Sequence, residues 1–288
     1  MKVDLVEIDN ALKYYQINDI NYKNKCYKCI DDLNSIKDFN NKAEEVYNIL
    51  YKNNTIDTLW QKENEIELFG EQYNPFITSV LVLLGWKIHD KNMTNKNYTD
   101  TQKELYKKRV REALTNDIYV RKLESIRISQ MIWAAYFINT KLIEVGRLQY
   151  ERREDYIKIH IPSGEKLEIE KVLDSIQKAK VEIEKYLNLK NPEYHCDSWL
   201  LSNQINAIID SNSNIAKFYS LFDVKDGPDA TKAILNFVFK LQECDDYNNL
   251  PEHTSLQRIL KKQLLEKKEL KIGCGKLKNR NLKECGKD

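Results

Sequence analysis

The spacing of apolar residues changes once along this 288-residue chain, at Leu142, and that change limits what the chain can fold into. Ahead of it the spacing is helical: Ala43, Val46, Tyr47 and Leu50 recur at three- and four-residue steps and so share one face. Helices are predicted near 40–51, 55–68, 76–88, 100–115 and 118–140, with the polar stretch 90–99 as a loop. From Leu142 the period drops to two. Val145, Arg147, Gln149 and Glu151 alternate with Gly146, Leu148 and Tyr150. Ile157, Ile159 and Ile161 then face one way while Tyr156, Lys158 and His160 face the other. Arg153-Glu154-Asp155 between these strands is short enough for an antiparallel hairpin.

Pro162-Ser163-Gly164-Glu165 stops the second strand, because proline cannot donate to a ladder and glycine permits a sharp turn. A helix follows from about 168, with Ile169, Val172, Leu173, Ile176, Ala179, Ile183 and Tyr186 as its apolar stripe. Cys196–Leu201 reads as a third strand, with Ser202 capping the helix that carries Ile205, Ile208 and Ile209. Ser211–Asn214 breaks that helix and starts another through Phe218, Tyr219 and Phe222. Ile234–Phe239 is apolar enough for a central strand, Thr254-Ser255-Leu256-Gln257 has capping-box form, and Leu270-Lys271-Ile272 could add an edge strand. The expected class is α+β: a helical N-terminal domain over 1–140, then a mixed sheet flanked by helices over 141–288.

Composition excludes several functions. Lys and Arg number 46 against 44 Asp and Glu, a formal charge of +2 that cannot hold a polyanion along the whole surface. Nucleic acid is therefore not the expected partner. The one local exception is the lysine-rich tail from Arg258 to Lys287, which is read either as a solvated helix face or as a nucleic-acid patch. No stretch approaches the roughly 20 apolar residues that span a bilayer, and Met1-Lys2-Val3-Asp4 opens no secretory signal, so a cytoplasmic protein without a membrane partner is expected. The run Val80–Trp86 fits a buried helix instead. Six cysteines are too few and too scattered for a disulfide scaffold. Cys26-Tyr27-Lys28-Cys29 lacks the second pair of ligands that a zinc site needs, so no metal is expected.

Three blocks carry a family resemblance: Val145–Glu151, Ile159–Glu165 and Cys196–Ser202, followed in order by Ser213-Asn214-Ile215 and by Leu250-Pro251 through Thr254–Arg258. Over roughly 142–277 the chain resembles a bacterial acyltransferase domain-containing family with a helical N-acyltransferase N-terminal domain and a GNAT-like C-terminal domain. The resemblance implies an acyl-CoA-dependent acyltransferase that moves an acyl group from acetyl-CoA or another acyl-CoA to a small-molecule or peptide amine. Two alternatives stand beside it: a non-catalytic GNAT-like module that binds a ligand or a protein, and a nucleic-acid-associated protein that uses the tail. The sequence leaves the oligomeric state open.

In that family's fold the CoA pyrophosphate lies on a turn at a helix N-terminus, where unpaired N–H groups and the helix dipole converge. The resemblance places this site at Ile161, Ser163, Gly164 and Lys166. The pattern Q/R-x-x-G-x-G/A is absent here, Glu165 would repel phosphate, and a plain strand-to-helix turn is the alternative. Arg147, Gln149, Glu151 and Lys158, with Ser198, would form a substrate face, unless the hairpin simply presents a polar surface to solvent. His160 suits a general base, since imidazole titrates near neutrality; the alternative is a structural role. Backbone N–H groups after Ile159 would polarise the thioester carbonyl. Asp197, the second candidate catalytic residue, costs free energy in a short apolar strand unless paired, so a nearby basic residue, Arg147 being one candidate, or backbone N–H groups should partner it. The third, Tyr219, is either the acid for the leaving thiolate or a core residue beside Phe218 and Phe222. Cys196 as a nucleophile has no local feature that would depress its thiol pKa.

Overall fold

The computed structural model describes residues 2–53, 55–61 and 68–278, and the chain divides into two compact units, Met1–Leu142 and Ile143–Asp288. The predicted segment 62–67 and the end of the basic tail, 279–288, lie outside the described residues.

The first unit is helical. Its helices are α1 (Leu5–Tyr14), α2 (Ile20–Ser35), α3 (Lys37–Tyr51), α4 (Ile77–Leu84), α5 (Trp86–Asn95), α6 (Asp100–Tyr119) and α7 (Ile128–Ile138), with a 3₁₀ turn at Ile56–Gln61. All eight residues of α4 are buried, as its apolar run requires. Cys26 and Cys29 lie on the buried side of α2, where loss of water pushes the Cys26 thiol up to about 12 and raises that of Cys29 as well. Two expectations fail here. The supposed loop 90–99 is mostly the end of α5, because His89 and Met93, four apart, bury one face while Asp90 and Lys91 point outward. Only Lys96–Tyr98 lies between α5 and the Thr99 cap of α6. The single helix expected over 118–140 is broken between Tyr119 and Ile128. Asp117, 1% exposed, draws the chain back by accepting from the N–H, Nε and Nη2 of Arg127, each at 2.9 Å.

Among the described residues the second unit is built on six strands, β1 (Leu142–Val145), β2 (Leu148–Arg152), β3 (Tyr156–His160), β4 (Glu193–Ser198), β5 (Phe222–Asp229) and β6 (Lys271–Leu277), in the order β1-β2-β3-β4-β6-β5. The first predicted strand is thus two strands joined at Gly146-Arg147, and Gly146 takes the left-handed φ of 57° that this tight link demands. Strands β2–β3, β4–β6 and β5–β6 pair antiparallel, whereas β3–β4 is parallel. The crossover between β3 and β4 is α8 (Ile169–Glu182), continued by a π-helical turn to Leu187 and closed by left-handed Asn188.

One sheet face is the core. Tyr150, Ile157, Ile159, Tyr194 and Cys196 alternate into it and meet Val172, Ile176 and Ala179 of α8, each fully buried aliphatic chain contributing about 1.5–3 kcal/mol. Tyr150 Oη and Ser175 Oγ share a hydrogen bond of 2.9 Å across that interface.

The later elements depart furthest from expectation. Helix α9 (Asn203–Asn206) is capped by Ser202 as anticipated and α10 (Asn214–Tyr219) by Ser213, but α9 stops before Ile208, and Phe222 opens β5. Ile234–Phe239 is the end of α11 (Thr231–Ile234) and a π-helical turn, not a strand. Its apolar side packs with Leu250, with Leu260 and Leu264 of α12 (Ser255–Leu265) and with Leu270, forming a small core of its own. The capping box of α12 is present, Thr254 and Gln257 reciprocating. The strand at 271 is longer than foreseen and lies inside the sheet rather than at its edge.

Candidate functional site

The sheet's second face carries the titratable groups. Register places Gln149 opposite His160 and Glu151 opposite Lys158, then Lys158 beside His195, and Asp197 opposite Cys274. Residues in register share a face, so Gln149, Glu151, Lys158, His160 and Asp197 lie together, as the alternation of the hairpin implied for the first four.

Glu151 anchors this group. It is 1% exposed, and a carboxylate so removed from water needs partners. His160 Nε2 lies 2.6 Å from its Oε2, and Arg153 Nη2 lies 2.7 Å from its Oε1. Arg153 belongs to the turn between β2 and β3, and nothing in the sequence distinguished it from a solvated turn cation. Gln149, equally buried, donates from Nε2 to Glu144 Oε2 at 2.6 Å, while its Oε1 meets no donor among the described residues.

Asp197 has the basic partner expected of it, but that partner is Lys158 Nζ at 2.9 Å rather than Arg147, and the Asp197 side chain is 41% exposed. The β3–β4 register ends at Lys158↔His195, so the ion pair reaches from one parallel strand to the other just past their last paired residues. Neighbouring Cys196 points into the core, where burial raises its thiol pKa and removes the condition for a nucleophile. Trp199 is partly buried against the small cluster around Leu260.

Beyond His160 the chain turns through Ile161–Glu168 into α8. Ile161, Ser163, Gly164 and Lys166 all lie in this turn, and Gly164 has φ of 119° with open space where a Cβ would stand. No side chain caps α8. Among the described residues, no acceptor meets the N–H groups of Ser163, Gly164, Lys166 or Leu167. The Glu165 carboxylate is 75% exposed and 3.8 Å from Lys171.

Arg147, Ser198 and Tyr219 are not on the titratable face. Arg147 reaches beneath the turn just described. Ser198 alternates to the opposite side from Asp197 and accepts from the N–H of Leu200. Tyr219 Oη donates to Asn203 Oδ1 at 2.7 Å, and Asn203 donates in turn to Asp226. A cavity of about 740 Å³ opens at the far end of β4, among Lys180, Lys185, Pro192, Tyr194 and Lys276, and none of the predicted residues lines it. Among the described residues there is no group of His, Cys, Asp or Glu able to hold a metal ion, and no helix is long and apolar enough to cross a membrane.

The family described as GNAT-like C-terminal domain matches residues 87–277, a stretch that begins well ahead of Leu142. Among solved structures, an acyltransferase mutant in complex with octanoyl-CoA is similar at a TM-score of 0.75 and 15% identity, over 95% of this chain and 88% of that one. An acyltransferase in complex with decanoyl-CoA and teicoplanin gives 0.74 at 15% identity, over 93% and 86%. A third, in complex with decanoyl-CoA, gives 0.64 at 14% identity, over 94% and 98%. At such identities the likeness is one of fold. No curated protein matches the sequence.

Proposed function

Because the chain belongs to the GNAT-like C-terminal domain family, we propose that it is an acyl-CoA-dependent acyltransferase acting on an amine. The observation that carries this reading is the parallel pair β3–β4, whose ladder stops at Lys158↔His195 while β3 runs on into an uncapped helix N-terminus. Unpaired N–H groups at the start of a helix suit phosphate, and the turn at Ile161, Ser163, Gly164 and Lys166 offers them. The similar structures in complex with octanoyl-CoA and decanoyl-CoA support the same class of donor, and the one that also holds teicoplanin supports a small-molecule or peptide acceptor.

In the proposed reaction the amine nitrogen attacks the thioester carbonyl, the C–N bond forms, the C–S bond breaks and the thiolate leaves. His160 takes the proton released from the amine. Glu151 holds the imidazole through Nε2 and stabilises the imidazolium once formed, and Arg153 holds Glu151. Lys158 and Asp197 tie the two parallel strands together beside the reacting centre. The leaving thiolate takes its proton from solvent, since Tyr219 is held by Asn203 away from the titratable face. A second reading, binding without turnover, draws on Glu165 at the turn and on the missing glycine pattern.

Thermal melting with and without millimolar CoA, octanoyl-CoA and decanoyl-CoA tests the donor. A rise in melting temperature is expected, and the absence of any shift with all three would overturn the enzyme reading. Binding without transfer to any of a panel of amines would favour the second one.

A further inference from the structure

The buried cation beneath the β3–α8 turn belongs to neither the reacting centre nor the core. Arg147, 8% exposed, sits in the tight link between β1 and β2. Its guanidinium donates from Nη1 to the carbonyl of Pro162 at 2.9 Å, from Nη2 to that of Glu165 at 2.8 Å and from Nε to that of Lys166 at 3.2 Å. A planar fork with donors on all three nitrogens can grip three carbonyls at once.

Which carbonyls it grips decides where the amides point. The described chain has no cis peptide bonds, and in a trans unit the C=O of one residue and the N–H of the next point in opposite directions. Fastening the carbonyls of Pro162, Glu165 and Lys166 to the guanidinium therefore turns the N–H groups of Ser163, Lys166 and Leu167 away from it. These are groups for which the described residues supply no acceptor. The cation also neutralises the negative ends of the same peptide dipoles, which leaves the positive ends outermost.

We infer that Arg147 is a positioning residue for a diphosphate: it shapes the Pro162–Leu167 turn into an anion cradle without touching the ligand, in place of the glycine-rich pattern that the turn lacks. This rests on the acyl-CoA reading. It also accounts for an arginine at a hairpin link that needs only a glycine to turn.

The test compares two ligands by calorimetric titration of the full chain: CoA, and pantetheine, which has the same thiol arm and no phosphate. For Arg147→Ala, CoA affinity should fall at least about tenfold, equivalent to about 1.4 kcal/mol, and pantetheine affinity less than about threefold. Arg147→Lys keeps the charge but cannot span three carbonyls, so it should match the alanine variant, and it decides the matter if the alanine variant fails to fold. A folded variant that binds CoA as the wild type does, or that loses both ligands equally, overturns the inference alone. A wild-type chain that does not bind CoA overturns the inference and the reading beneath it.

Discussion

His160 Nε2 and Glu151 Oε2 lie 2.6 Å apart, and the carboxylate that holds the imidazole is almost wholly buried. The two residues are nine apart in sequence and meet across the β2–β3 hairpin. If His160 is the base, Glu151→Gln should lower kcat by at least about tenfold with little change in KM, since a neutral amide stabilises an imidazolium less than a carboxylate does. Glu151→Ala should also cost about 2–4 kcal/mol of stability in urea denaturation, because two cationic or polar partners lose their acceptor.

Asp197→Asn should remain folded. The Asp197–Lys158 pair is partly exposed on both sides, and such pairs contribute about 0–1 kcal/mol. A loss of stability larger than that in urea denaturation would show that the pair holds the two strands together.

Tyr219→Phe separates acid from packing. The ring stays beside Asn203 while one hydrogen bond of 2.7 Å is lost, a cost of about 1 kcal/mol. A fall in kcat that is restored with a thioester of more acidic thiol would assign the hydroxyl to the leaving group.

Gly273 should tolerate no side chain. A Cβ there would stand 1.9 Å from the carbonyl oxygen of Leu201, so Gly273→Ala should destabilise the second unit by about 3 kcal/mol or more, read from chemical denaturation.

His89 gives the first unit an acid limb. Burial, with Lys107 adding to it, pushes this histidine down to about 3, while in the unfolded chain it titrates near 6.5. Because the unfolded state takes up the proton first, stability is complete above pH 6.5 and is lost as pH falls toward 3. The loss by pH 5 should be about 2 kcal/mol. His89→Phe should flatten that limb of the pH–stability curve.

Where local signals and burial agree, the sequence was readable. The hairpin, α8 and the caps at Ser202 and Thr254 rest on alternation, helical spacing and short-range hydrogen bonds, all set by near neighbours. The shared face of Gln149, Glu151, Lys158 and His160 was legible for the same reason: period two fixes it. Ile234–Phe239 misled because a short apolar run fits a buried helix as well as a strand, and only its packing against Leu260 and Leu264 chooses. Strand β5 was missed because Lys225-Asp226-Gly227-Pro228 has turn composition, yet Lys225 and Asp226 pair with β6 on a mostly exposed edge, and Gly227-Pro228 lie where the register shifts before Asp229.

By itself, then, the sequence determined the change from helices to strands near Leu142, the polar face of the hairpin and the turn that follows it, because each depends on residues a few positions apart. Tertiary structure alone decided that β6, last in the chain, pairs between β4 and β5, that Asp197 meets Lys158, and that Arg147 serves the turn at 162–167. Those contacts join residues far apart along the chain or on separate elements, and the interactions that select them, a glycine fitted under Leu201 or a guanidinium with three carbonyls in reach, exist only once the sheet has closed.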